Sequence, residues 1–347
     1  MDKVLLGHGS GGQLSHDLVR ELFLPQFPGA ALAKLDDAAI VQPAKDAGGQ
    51  LAGPGFASGR LALTTDSYVV KPLFFRGGDI GRLAVCGTVN DLSMVGATPL
   101  YLSAGFVLEE GLDLDTLRRV VGSMRSSAKE AGVEIVAGDT KVVEKGGADQ
   151  LFINTAGVGV VPEGIDISAS NARPGDVIIV SGAIGDHGIA VLSEREGLAF
   201  ETDLVSDVAP LNGLVSSMLE ASGQIHVLRD PTRGGLATLL NEVALQSQVT
   251  ISVTEGAIPV HDGVRAACEM LGYDPLYVAN EGKLVAMVAP EDSEGVLEVM
   301  RAHPLGSEAA VIGKVVSRER PRVLLRTEIG GTRIVGMLAG EMLPRIC

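Results

Sequence analysis

Six aspartates stand where expected strands and helices give way to loops: Asp36 and Asp37 in KLDDAAI, Asp66 in TTDSYVV, Asp91 in VNDLSMVGATP, Asp139 in AGDTKVV and Asp230 in RDPTRGG. Such a set suits magnesium, a hard cation that takes carboxylates, keeps several waters and neutralises nucleotide phosphates. Taken singly, each Asp is equally explained as a cap of a turn or helix. Taken together they favour a ligand site, because small residues flank each one and let a ligand approach the backbone.

The GHGSGG segment (residues 7–12) could wrap a phosphate through its backbone N–H groups. It is neither a Walker A loop, since GxxxxGK[ST] is absent, nor a dinucleotide fingerprint, since no strand precedes it. Lys141 follows Asp139-Thr140 at a strand edge, where it could meet a phosphate or remain a surface lysine. Glu281 in YVANEGKL could serve as a general base or remain a solvated turn acid. Cys347 is the last residue of the sequence. On a released tail of about fifteen residues its sulfur could range over roughly 50 Å. That would carry it between two sites at high effective concentration. The adjoining carboxylate hinders thiolate formation, and an incidental cysteine is the alternative.

These residues need elements to hold them. RLALTTDSYVV, YLSAGFVL, VEIVAGDTKVV and LFINTAGVGVV read as strands. DIGRLAVCGTVNDLSMVG reads as a helix. So does 113–131, with Leu114, Leu117, Val121, Met124 and Ala128 inward and Gly132 as its stop. Leu14, Leu18 and Leu22 mark a helix after the glycine loop, and residues 43–59 read as a loop. PEGIDISASNARPGD is turn-rich and forms the domain junction. Beyond it the strand VIIVSG and strands near 250–254, 283–289, 309–316 and 321–327 mix with helices near 185–196, 210–222, 234–247, 262–271 and 291–302. The fold class is α+β: two mixed α/β domains with a flexible C-terminal tail.

The 347 residues fit two domains. A net charge of -15 and 3% aromatics argue against a nucleic-acid partner, and the charge also disfavours an anionic membrane surface. No apolar run reaches the roughly 20 residues of a membrane span, and the start has no signal-peptide core, so a cytoplasmic protein is expected. Cys86, Cys268 and Cys347 show no zinc-ligand spacing; the first two read as buried, inert helix residues.

The segments GHGSGGQLSHDLVRELFLPQF, KLDDAAI, TTDSYVV, VNDLSMVGATP, AGDTKVV, RDPTRGGLAT and the closing PRIC resemble the HypE hydrogenase maturation factors nearly from end to end. The acidic motifs alone would indicate the wider superfamily of aminoimidazole ribonucleotide synthetase, thiamine-monophosphate kinase and selenophosphate synthetase. The resemblance implies an ATP-binding and dimerisation domain over 1–162, an α+β domain over 163–330 and a mobile tail over 331–347 ending in the reactive cysteine. It implies ATP and Mg2+ in a cleft between the domains, and a homodimer with a barrel-like interface. A HypF-type carbamoyltransferase would load the Cys347 thiol, ATP would drive dehydration of the carbamoyl group to a thiocyanate, and a HypC–HypD complex would accept the cyanide. By the same resemblance Asp37, Asp66, Asp91 and Asp139 hold metal. Gly9, Ser10, Gly11 and Gly12 cover the phosphates, with Asp36, Asn90, Thr140, Asp230 and Arg233 beside the nucleotide. Lys141 and Glu281 position and deprotonate the thiocarboxamide nitrogen. Rival readings are a small-molecule kinase, which would not need Cys347, and a non-catalytic carrier, which would not cleave ATP. Selenophosphate synthesis is disfavoured because the N-terminal loop has no cysteine.

Overall fold

The computed structural model describes residues 3–27, 29–42, 59–197 and 204–338. Its first domain is built on β1 (Ala39–Val41), β2 (Leu61–Tyr68), β5 (Thr98–Glu109), β6 (Glu134–Val143) and β7 (Leu151–Val160), with a small ladder of β3 (Phe74–Phe75) and β4 (Gly78–Asp79). The main sheet has the order β1-β2-β7-β5-β6, antiparallel except for the β5–β6 pair. Side chains alternate across each strand. Ala62, Tyr68, Leu102 and Ile153 therefore point into the core, while Leu63 and Tyr101 on the opposite face remain 42% and 48% exposed.

Helix α1 (Gln13–Leu18) runs on into a wider π turn, Val19–Phe23, and Leu22 stays 53% exposed. Helix α2 (Ile80–Met94) starts where the Asp79 carboxylate accepts the Gly81 and Arg82 amides at 2.7 and 3.1 Å. Its sequence is apolar nearly all round, so the helix is buried; only Arg82 and Asp91 escape full burial. Helix α3 (Leu114–Ala131) is capped by Asp113 and ended by Gly132. Its inward stripe is Val120, Met124, Ala128 and Ala131, so the expected Leu114 and Val121 lie outward instead.

The second domain carries β8 (Val177–Val180), β9 (Ile225–Arg229), β10 (Thr250–Thr254), β11 (Val285–Val288), β12 (Ala310–Ser317), β13 (Arg322–Arg326) and β14 (Thr332–Val335) in the order β14-β13-β10-β12-β8-β11-β9. Its helices are α4 (Asp186–Glu196), α5 (Asn212–Ala221), α6 (Gly235–Ser247), α7 (Asp262–Leu271) and α8 (Ser293–Ala302). Helix α6 packs Leu236, Leu240 and Val243 onto one face with Ile251 and Val323; α5 and α8 pack Leu214, Met218 and Met300 onto the other. A third core joins the domains, bringing Tyr68, Phe75 and Leu83 together with Ile189, Val264 and Val278.

Five strands were not anticipated: the short β1, β3 and β4, then β9, and β14 inside the expected tail. Thr332–Val335 pairs antiparallel with β13, so the segment from 331 begins as sheet rather than as a mobile tail. Residues 43–58 of the expected loop and 339–347, with Cys347, lie outside the described residues. No helix among the described residues is long and apolar enough to cross a membrane.

Candidate active site

A cleft of about 260 Å³ opens between the two domains. Asp37, Thr64, Asp66 and Asp91 line it from the first domain, and Arg229, Asp230, Arg233 and Glu242 from the second. Gly11 closes one side. With φ at +77°, a Cβ there would lie 2.9 Å from Arg233 Cβ, so only glycine permits this approach. Asp91 reaches the cleft from α2 and accepts the Thr64 hydroxyl at 2.8 Å. Asp66, near the end of β2, accepts the Ser67 amide at 2.7 Å. Arg229 ends β9 between two acids, 3.0 Å from Asp37 and 2.6 Å from Glu242, and His16 lies 2.7 Å from Glu242 on its other side. The Arg233 guanidinium donates to Gly9 O at 3.0 Å and lies 3.9 Å from Asp66.

The cleft holds more negative charge than its arginines cancel. Burial, with the charges of Asp230 and Asp66 adding to it, pushes the Asp91 carboxyl well above its usual range. Burial likewise pushes Asp230 up to about 6, although Arg229 opposes it. Arg229 stays charged despite burial because Asp37 and Glu242 hold it so. Glu242 is kept low: burial raises it, but Arg229 and the His16 hydrogen bond outweigh that. An acidic cleft of this kind repels a polyphosphate unless a cation intervenes. Asp37 Oδ2 is buried without a hydrogen-bond partner. Among the described residues the acids do not converge on one point as a preformed cage. Hard oxygen donors that await phosphate oxygens to complete the shell fit magnesium.

The expected site residues divide. Asp37, Asp66, Asp91, Asp230, Arg233 and Gly11 come together in the cleft. Gly9 and Ser10 hold the loop: Gly9 takes the Arg233 bond, and Ser10 Oγ donates to Gly7 O at 2.9 Å. Gly12 packs on Leu338 O, and the neighbouring Gln13 amide donates to that oxygen at 2.9 Å. Glu281 is 3% exposed; burial, with Asp230 and Asp66 next, raises its carboxyl well above the usual range.

Three sets of expected residues are engaged outside the cleft lining of this chain. Asn90 is fully buried and its amide is consumed: it donates to Ala209 O and Glu281 O, both at 3.1 Å, and accepts the Leu211 amide at 2.7 Å. It clamps α2 to the Glu281 turn. Asp36 accepts Ser168 Oγ and the Ala169 amide at 2.9 Å, bracing the domain junction. Asp139, Thr140 and Lys141 lie on the exposed edge strand β6, with Lys141 2.6 Å from Asp139, and they do not line this chain's cleft. The register explains why. Ser67, Asn154, Gly105 and Asp139 form one row across the sheet, so Asp139 and Lys141 project from the face opposite α2. Cys347 lies outside the described residues.

Sequence reasoning missed Arg229, Thr64 and Glu242 in the cleft. Arg229 adjoins Asp230 and was within reach of a motif argument, whereas Glu242 sits on α6 with no local signal. Cys86 and Cys268 are buried, and burial pushes their thiols up to about 12 and about 11. Both are buried, as expected, and burial disfavours the reactive thiolate form.

Two mixed domains with an acid-lined cleft between them define a protein of the AIR synthase related class. The family described as AIR synthase related protein matches with its N-terminal domain over residues 35–161 and its C-terminal domain over 173–326. The carbamoyl dehydratase HypE of Bradyrhizobium diazoefficiens is 55% identical, across 99% of this chain and 95% of that protein. A solved hydrogenase maturation protein HypE in complex with ATP is 52% identical, covers 99% of this chain and 100% of its own, and superposes with a TM-score of 0.81. A HypE–HypF complex gives 49% identity, coverage of 92% and 99%, and a TM-score of 0.85. The chain belongs to the HypE family of hydrogenase maturation proteins.

Proposed function

We propose that this chain carries out the ATP-dependent dehydration of a carbamoyl group on Cys347 to a thiocyanate, in the service of [NiFe] hydrogenase iron-centre assembly. One observation carries the placement of the thiol. The Gln13 amide holds Leu338 O at 2.9 Å beside the Gly11 wall of the cleft. From Leu338 the chain has nine residues to Cys347, a reach of up to about 30 Å when extended. Such a reach would let the sulfur enter the cleft.

An amide oxygen is a poor leaving group until it is phosphorylated. The thiocarboxamide oxygen attacks the γ-phosphate of ATP, the nitrogen loses its protons to Glu281, and phosphate leaves with the former carbonyl oxygen. Asp37, Asp66 and Asp91 would hold Mg2+, which supplies charge neutralisation on the transferring phosphoryl group. Arg233 and the Gly9–Gly12 loop orient the phosphates, with Asp230 beside them. Glu281, buried and clamped by Asn90, is shielded from bulk water and has the raised basicity that such a base needs.

Asp139, Thr140 and Lys141 act in this scheme from a second copy of the chain. The face that bears Asp139 and Lys141 also bears Leu63, Val158 and Tyr101 in one register row, an apolar strip suited to a homodimer. A HypF-type enzyme loads the thiol and a HypC–HypD complex accepts the cyanide, in the cytoplasm. The test is mass spectrometry of the C-terminal peptide of carbamoyl-loaded protein. ATP with magnesium removes the mass of one water in the wild type and not in Glu281→Gln; a wild-type peptide that never loses it overturns the reading.

A further inference from the structure

A carboxylate accepts through two oxygens and can join two donors rigidly. Glu242, on α6, does this in the cleft wall. Its Oε1 accepts from His16 Nε2 at 2.7 Å, and its Oε2 accepts from Arg229 Nη2 at 2.6 Å. Arg229 carries the row on to Asp37, whose Oδ1 lies 3.0 Å from Nε. Resting on the proposed part of Asp37 in holding magnesium, we infer that His16 is a positioning residue: through Glu242 and Arg229 it couples the glycine loop to Asp37, so that the phosphate cover and the metal carboxylate are set as one unit.

The row starts in the glycine loop. The His16 amide donates to Gly12 O at 3.1 Å. Its neighbour Ser15 accepts the Gly11 amide at 3.0 Å and donates to His8 O at 2.8 Å. Residues 8–12 and the first turn of α1 therefore move as one body, and the His16 ring fastens that body to α6. Arg233 holds the loop separately, at Gly9 O.

The row ends on the segment that presents Asp37. Arg229 grips it twice, at the Asp37 carboxylate and through Nη1 at Leu35 O, 3.2 Å away. Leu35 has φ at +53°, a conformation uncommon outside glycine, and the bond from Arg229 helps to hold that turn. Arg229 Nε and Asp37 Oδ2 are both buried without a hydrogen-bond partner. The last link is thus a charge contact that fixes one oxygen of Asp37 and leaves the other for a cation.

None of the four side chains is more than 19% exposed, so little water screens the row and each charge-assisted bond is stronger than its surface counterpart. The row also spans the molecule. His16 belongs to the segment before the first sheet, Glu242 and Arg229 to the second domain, and Asp37 to the first. Removing the His16 ring leaves Glu242 still paired with Arg229, so the loop loses its link without stranding a buried charge.

The test is calorimetric binding of a non-hydrolysable ATP analogue to the full-length protein at a series of magnesium concentrations. His16→Ala is expected to weaken binding roughly ten-fold at saturating magnesium, the scale of one charge-assisted hydrogen bond. It should also raise the magnesium concentration that gives half of the full affinity by about three-fold or more, because the metal carboxylate is no longer set by the loop. His16→Gln, which keeps an N–H donor, should restore both. In a Glu242→Ala background His16→Ala should add less than about two-fold, since the link is already cut. Should Glu242→Ala fold poorly, the two His16 variants decide. Binding in His16→Ala equal to wild type overturns the inference. Weaker binding with an unchanged magnesium midpoint also overturns it, because a simple loop anchor moves affinity and leaves the metal requirement alone. A wild type whose nucleotide binding ignores magnesium overturns it together with the role given to Asp37. A wild type that binds nucleotide with magnesium yet never forms thiocyanate overturns the proposed dehydration and leaves the coupling intact.

Discussion

Arg229 shows how a single cation organises the cleft. It holds Asp37 at 3.0 Å and Glu242 at 2.6 Å in a site where none of the three is well solvated. Arg229→Leu leaves two buried acids facing each other. It should cost about 3–5 kcal/mol, the scale for breaking a buried ion pair from one side, read as a lowered midpoint in urea. Asp230 makes the pH prediction. Its carboxyl is pushed from 3.8 up to about 6, so over that window the folded chain binds more protons than the unfolded one. The contribution of Asp230 to stability must therefore fall as pH rises from about 4 to about 6. Asp230→Asn should remove that part of the slope in thermal melts, and magnesium with ATP should raise the melting temperature more at pH 7 than at pH 5. Asp37, Asp66, Asp91 and Asp230 were legible because each sits in a short motif with small neighbours. Glu242 and the clamp at Asn90 were not, since their meaning lies in partners more than a hundred residues away or on another element. Asn90 directly precedes a cleft acid, and its motif gives no sign of the clamp it forms.

Helix α2 is the element on which the site turns. One turn sends Asp91 into the cleft, and the adjoining Asn90 holds the Glu281 turn and the 209–211 segment of the second domain. Asn90→Ala would leave one donor and two acceptors buried and unpaired, about 1–3 kcal/mol for each. The expected outcome is a dehydration rate at least about ten-fold lower with nucleotide affinity little changed, since the clamp touches Glu281 and not the phosphate loop. Calorimetric ATP binding beside single-turnover kinetics checks this. Long elements such as α2, α3 and β5 were plain in the sequence, α2 as a long apolar run and α3 by its amphipathic stripe. The five residues of β9 and the four of β14 were hidden. IHVLR is buried on both faces and shows no alternation. TRIV, an exposed edge, reads as a tail until β13 is there to receive it.

At the scale of the whole molecule, the row Leu63, Val158 and Tyr101 leaves one sheet face fit for a second copy, with Asp139 and Lys141 on the same face. Tyr101→Lys should shift the proposed dimer toward monomer in sedimentation equilibrium, because a charge in the centre of an apolar contact is costly. The sharper test asks whether Lys141 serves its own chain or the other one. Lys141→Ala and Glu281→Gln are each expected to be inactive. When the two are unfolded together and refolded at equal concentration, about half of the dimers are mixed by random pairing. In each mixed dimer one cleft joins an intact Glu281 to the Lys141 of the other chain, and the second cleft lacks both. Of all clefts, about one quarter are then complete, so dehydration should recover to about a quarter of the wild-type level. If Lys141 worked within its own chain, no cleft in the mixture would be complete and activity would stay at the level of the separate variants.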